Sequence, residues 1–238
     1  MPGIRINRYL ASTGEISRRK ADEMLREGRV CINGRPASLG DSIDPESDLV
    51  TLDGKPVSPQ KAVYLAMYKP RNVVTTMHDP EGRPCVRDHI PRKYAGVFPI
   101  GRLDFDAEGL LLLTNDGSLA HALHHPSFNV PKTYIVKVTP QARGGQIEAM
   151  SEGIDLDEGR TRPADIESLR TSSRGTTLKI TLRQGLKNQI KRMAQAVGLK
   201  VSSIKRISVG PITLDDIHPG EVRELKPLEI QKLHKTLK

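Results

Sequence analysis

The chain has 238 residues, 37% hydrophobic and 27% charged, a balance that excludes a disordered polymer and gives enough length for one large domain or a small and a larger one. Cys31 and Cys85 are too few for a disulfide framework and lack metal-ligand spacing, so both read as reduced thiols. No apolar run reaches bilayer-spanning length and the N-terminus lacks a signal-peptide core, so the expected setting is the cytoplasm, with no membrane partner. The formal net charge of +9 suggests a polyanionic partner.

The first sixty residues read as a small unit of two helices and short strands. Ile6, Tyr9 and Leu10 fall at helical spacing. Ser17 is placed to cap a second helix, with Ile16 and Ala21 as a hydrophobic staple and Ala21, Met24 and Leu25 as its buried stripe. Gly28 supplies a stop. Val30-Cys31-Ile32 then reads as a strand closed by Asn33-Gly34, and Leu49 to Leu52 with Asp53-Gly54 repeats the pattern. The proline-marked stretch Ser58 to Lys61 sets the expected boundary, giving domains 1–60 and 61–238.

Beyond it, strand-like runs at Val63 to Tyr68, Val73 to Thr76, Leu110 to Thr114, Tyr134 to Val138 and Leu178 to Leu182 alternate with turns and few helices, an α+β pattern instead of regular βαβ units. Ser118 to His124 reads as a short helix. The clearest helix spans Asn188 to Val197, with Ile190, Met193, Ala194 and Val197 on one face, Lys187, Lys191, Arg192 and Gln195 elsewhere, and Gly198 at its end. Charge is concentrated here: residues 181 to 210 hold Arg183, Lys187, Lys191, Arg192, Lys200, Lys205 and Arg206 and no acid.

Two regions carry chemistry. In the N-terminal unit, Arg18, Arg19 and Lys20 occupy the first turn of a helix whose dipole already favours anions, and Arg29 and Arg35 flank the following hairpin. Phosphate contact is one use of such a face and simple solvation the other. In the larger region, Arg102 and Asp104 sit in a turn just before the apolar run Leu110 to Leu113, which holds them at a core edge. By spacing alone, Asp104, Asp106 and Glu108 could line a site, solvate a loop or bind a hard cation, although they lack the spacing of a calcium loop. His121, His124 and His125 have helical spacing but no Cys or Glu completes a zinc set, so no metal is expected.

The order Arg5-Ile6-Asn7-Arg8-Tyr9-Leu10, Ser17-Arg18-Arg19 and Gly28-Arg29-Val30-Cys31-Ile32-Asn33-Gly34 resembles the S-four RNA-binding domain over residues 4 to 57. The segment Gly101-Arg102-Leu103-Asp104 through Asp116-Gly117 resembles the catalytic motif of the pseudouridine synthase family that includes the ribosomal small-subunit enzyme and its large-subunit relatives. Tyr68-Lys69-Pro70, Lys132-Thr133-Tyr134 and Asn188-Gln189-Ile190-Lys191-Arg192 match further motifs, whereas Gln184 stands where many relatives have an acid.

The resemblance implies isomerisation of a uridine to pseudouridine, which needs no cofactor. It implies Asp104 as the catalytic carboxylate, Tyr134 beside an extruded base, and Lys191, or failing that Arg192, as the cation keeping Asp104 charged. Arg102, Asn188, Gln189 and Arg192 are expected at the substrate, and Arg5, Arg8, Arg18, Arg19, Lys20, Arg29, Arg35 and Lys187 on RNA. The partner implied is ribosomal RNA, the large subunit slightly favoured, or transfer RNA, with the protein a monomer. The rivals are a non-catalytic ribosome-assembly factor and a nucleosidase with paired carboxylates.

Overall fold

In the computed structural model, which describes residues 3–237, the chain divides into two units. One comprises the described residues through Tyr64 with Pro91–Phe98 and Thr114–Ser118; the other comprises Leu65–Ile90, Pro99–Leu113 and Leu119 onward.

In the first unit, helices α1 (Ile6–Ser12) and α2 (Arg18–Arg26) pack over strands β1 (Val30–Ile32) and β2 (Val50–Leu52). The Ser17 side chain accepts from the Lys20 backbone N–H at 3.2 Å, the cap the sequence announces, and Ile16 packs on the same core. Leu10, Ala21 and Val30 are fully buried. A buried leucine or valine contributes roughly 1.5–3 kcal/mol, which lets so small a unit hold its shape. Both strand turns run Asn33-Gly34 and Asp53-Gly54 through positive φ at each position, the conformation those residue pairs favour.

The second unit is built on a mixed, mainly antiparallel sheet. Its main path has seven strands: β3 (Tyr64–Lys69), β4 (Glu108–Thr114), β5 (Lys132–Thr139), β6 (Asp165–Ser172), β7 (Gly175–Leu182), β8 (Lys200–Val209) and β9 (Val222–Glu224). Their spatial order is β6-β7-β5-β8-β4-β3-β9, and β4 pairs with β8 in parallel. Helices α3 (Gly117–His124), α4 (Gly144–Glu152), α5 (Gln189–Ala196) and α6 (Pro227–Thr236) are the remaining described α-helices. Ile190, Met193 and Ala194 of α5 are buried in the main core with Val136, Leu178 and Ile204, so the apolar stripe faces the sheet.

One expectation is corrected, and two long strands were not foreseen. Val73 to Thr76 is no strand; only an isolated bridge joins Val74 to Cys85, and Thr75 turns its hydroxyl to the Leu103 backbone. Strand β6 was not expected because nearly all its residues are exposed, leaving no in-out alternation to read. Strand β8 was missed because a bulge interrupts its period. Thr133 of β5 pairs with Ser208, but Tyr134 pairs with Arg206, so Ile207 is the extra residue.

That bulge places Arg206 opposite Tyr134, and Gly109 admits β4 against it. At φ +108°, a Cβ on Gly109 would lie 2.2 Å from the Arg206 carbonyl oxygen. Gly109→Ala is expected to destabilise the protein by roughly 2–4 kcal/mol from backbone strain plus steric displacement. An unchanged thermal unfolding midpoint would contradict this packing.

Candidate active site

The turn carrying Asp104 is fastened from outside its own sequence. Thr75 Oγ1 donates to the Leu103 carbonyl at 2.7 Å and accepts from the Leu103 N–H at 3.2 Å. The Asn72 N–H donates to the Phe105 carbonyl at 2.7 Å, and Arg71 Nε to that of Asp106 at 3.1 Å. Both residues flanking Asp104 are therefore tied to the 71–75 segment, which is what aiming a short side chain requires.

Asp104 faces the start of α5. Asn188, in the left-handed region at φ 52°, precedes the helix. Only the NH₂ edge of its amide can favourably face a carboxylate, and so oriented it donates to Asp104 Oδ2 at 2.8 Å and Oδ1 at 3.3 Å. Lys191 Nζ, one helical turn on, lies 3.7 Å from Asp104 Oδ2 and 2.6 Å from Asp106 Oδ1. One lysine thus serves two carboxylates, with its shorter contact to Asp106. Burial pushes the Asp106 carboxyl up, but the Lys191 hydrogen bond and charge, aided by Arg71, hold it below the ordinary range.

These groups open on a cavity of about 600 Å³, within the usual span for small-ligand sites. Arg102, Asp104, Lys132, Tyr134, Asn188 and Arg206 all line it, with Gln184 and Gln189. Beneath, Lys69 is fully buried, its ammonium donating to the carbonyls of Pro70 and Val73 at 2.8 Å each. Burial lowers its pKa to about 8, opposed by the charges of Asp104 and Asp106. Tyr68 donates to Glu108 at 3.0 Å, and its phenol is pushed up to about 12 by burial and that carboxylate.

Other expected site residues have different placements. Gln189 is buried, its Oε1 accepting from the Leu186 N–H at 3.1 Å and its Nε2 lying 3.6 Å from the Met193 sulfur, so both ends of its amide are engaged in building the turn before α5. Arg192 binds Glu158 and Asp157 at 2.6 and 3.0 Å, which engages it with other acids and leaves Lys191 as the cation beside Asp104. Arg102 and Lys187 are exposed.

On the N-terminal unit, Arg18, Arg19 and Arg35 are exposed, with no ion pair among the described residues. Lys20 pairs with Glu23, and Arg29 with Asp53 and Glu27. Arg5 donates to the Gly40 carbonyl and Arg8 to the Ser118 hydroxyl. The free cations are therefore gathered at the head of α2 and on the hairpin.

Residues 63–196 match the family described as RNA pseudouridylate synthase, and residues 4–50 match the S4 domain. The chain belongs to the RNA pseudouridylate synthases. It is 41% identical to an RNA pseudouridine synthase of Aquifex aeolicus over 100% of this chain and 96% of the relative. Identity to the ribosomal large subunit pseudouridine synthase B of Bacillus subtilis is 37%, covering 96% and 95%. A crystal structure of a pseudouridylate synthase superposes with TM-score 0.70 at 30% identity, covering 97% of this chain and 99% of the other. This synthase is therefore an isomerase with an RNA-binding module at its N-terminal end.

Sequence reasoning about the synthase gave no role to Thr75 and Arg71, which bond to the Asp104 turn, or to Lys69 and Arg206. Lys69 was visible in the Tyr68-Lys69-Pro70 motif, whereas the Thr75 contact joins residues 28 positions apart and has no local signal.

The shared lysine gives a titration test. A carboxyl held below its unfolded value contributes stability above that value and loses it as pH falls through the folded pKa. In Lys191→Met, the Asp106 carboxyl loses the hydrogen bond and charge that hold it down, so its pKa should rise from its lowered value toward the ordinary carboxylate range. Carboxyl ¹³C NMR across pH 2 to about 7 reads this directly; an unmoved Asp106 resonance would contradict the pairing.

Proposed function

We propose that this synthase isomerises a specific uridine of ribosomal RNA to pseudouridine, with Asp104 as the catalytic carboxylate acting on an extruded nucleotide. The observation that carries the reading is the placement of the Asp104 carboxylate: paired with Asn188 and Lys191 on one wall of a cavity that Tyr134 also lines. A base within a helix is unreachable from such a cavity, so the uridine must swing out to enter. Its ribose then meets Asp104 and its uracil meets the ring of Tyr134.

The chemistry is an isomerisation. The C1′–N1 bond breaks, uracil turns, and a C1′–C5 bond forms; the proton on C5 leaves and N1 regains one. Asp104 begins either by attacking C1′ or by removing the C2′ proton. Asn188 and Lys191 hold the carboxylate in a fixed position, which accelerates by preorganisation. Tyr134 stacks on the base with its hydroxyl toward the proton lost from C5.

The cations at the head of α2 and on the hairpin, with Lys187, hold RNA phosphates, and binding falls steeply with salt. In this reading residues 1–60 grip RNA and 61–238 carry out the reaction. Ribosomal RNA is favoured over transfer RNA by the Bacillus subtilis relative, with the large subunit its named target. The non-catalytic rival is disfavoured by the paired Asp104.

The test uses ribosomal RNA transcripts tritiated at uracil C5. One tritium should be released per pseudouridine formed, with no free uracil. Tight binding without tritium release would mean an RNA-holding protein, and free uracil would mean a nucleosidase.

A further inference from the structure

The cavity that Asp104 lines also carries two cations with no assigned task. Lys132 and Tyr134 are two residues apart on β5, so their side chains share a face about 7 Å apart along the strand. The bulge in β8 sets Arg206 directly across from Tyr134 on that face, where paired side chains stand about 5 Å apart. Tyr134 is thus bracketed by an ammonium along its own strand and a guanidinium on the next.

Neither cation is neutralised. Arg206 is 3% exposed; its Nε donates to the Leu110 carbonyl at 2.7 Å and its Nη1 reaches that of Arg102 at 3.5 Å, while Nη2 has no partner among the described residues. Among the described residues, Lys132 meets only the Val130 carbonyl, at 3.2 Å. Burial, then the charge of Arg206, lowers its pKa to about 8, with no carboxylate offsetting them. Gln184 Nε2, on the same lining, is a second buried donor without an acceptor among the described residues. A buried donor left unsatisfied costs about 1–3 kcal/mol, and more when charged. The wall therefore suits a ligand that brings oxygens and negative charge.

The proposed reaction produces such a species. If Asp104 attacks C1′, its charge is lost in the ester as the C1′–N1 electron pair leaves on uracil. If Asp104 removes the C2′ proton, it becomes a neutral acid and the same pair again leaves on uracil. Either way one negative charge moves from Asp104 to the uracil ring, delocalised over N1, O2 and O4. Conditional on the reading above, we infer that Lys132 and Arg206 form a binding site for the departing uracil anion, donating to its carbonyl oxygens. Charge then passes from the carboxylate held by Asn188 and Lys191 to the uracil held by Lys132 and Arg206. Donors fixed where charge develops lower the barrier without reorganising. A phosphate is the other anion available, but Arg206 lies deep beside the tyrosine, whereas exposed Lys187 suits the backbone better.

Leaving-group chemistry tests this. Fluorine at C5 makes uracil a better anion, so a variant lacking anion stabilisation should be hurt less on 5-fluorouridine RNA. Single-turnover glycosidic cleavage would be followed on matched uridine and 5-fluorouridine ribosomal RNA transcripts for the wild type, Lys132→Met and Arg206→Lys, with RNA affinity measured in parallel. The expected result on uridine RNA is a slowing of about 10- to 100-fold with near-normal affinity. The slowing should shrink at least about threefold on 5-fluorouridine RNA. Equal slowing on both RNAs, or a defect confined to affinity, would overturn the inference while wild-type pseudouridine formation kept the parent reading intact. Because Arg206 also braces the Asp104 turn, Lys132→Met alone decides between these outcomes if Arg206→Lys unfolds. A wild type that forms no pseudouridine would overturn both.

Discussion

The pairing of the Asp104 carboxylate with Asn188 and Lys191 is the constraint around which the larger unit is organised. A carboxylate on a loop is ordinarily solvated and free to rotate, whereas here two donors from the first turn of one helix meet it at 2.8 and 3.7 Å. The geometry requires Asn188 to adopt the left-handed conformation, which asparagine tolerates better than most residues. It also requires α5 to be immobile, which the burial of Ile190, Met193 and Ala194 provides. Core packing is thereby converted into the direction of one polar group.

The sheet works in the same way. A single extra residue in β8 turns Arg206 onto the Tyr134 face, and the absence of a side chain at Gly109 lets β4 approach it. Arg206 then bonds to the carbonyls at both ends of the Asp104 turn, those of Arg102 and Leu110. The bulge therefore couples that loop to the tyrosine, a use of β-bulges beside sites that plain strand pairing could not supply. Lys191, shared between Asp104 and Asp106, sets one ammonium beside two carboxylates.

Much of this was legible in the sequence where the signal is local. The cap at Ser17, the two Gly-containing hairpin turns, the apolar run of β4 and the stripe of α5 each follow from neighbouring residues, and each is present. Motif resemblance led to Asp104, Tyr134 and Lys191, which the fold gathers around one cavity or its rim. What local patterns could not give were the effects of distant pairing. The role of Thr75 depends on Leu103, and Gln189 looks like a polar residue free for substrate until its amide is seen engaged with Leu186 and Met193. Arg206 counted only as one positive charge among seven because a bulge has no period to detect. Edge strand β6, almost wholly exposed, offers no alternation to read.

The charge at position 104 is what the proposed chemistry depends on most directly. Asp104→Asn keeps the size and much of the hydrogen-bonding capacity of the side chain while removing its negative charge. Pseudouridine formed on ribosomal RNA by this variant, measured by nucleoside analysis alongside RNA affinity, should fall below detection while affinity stays within about twofold of the parent, because the interaction removed is one made in the transition state. Appreciable turnover by Asp104→Asn would contradict the assignment, and with it the role given to the Asn188–Lys191 clamp.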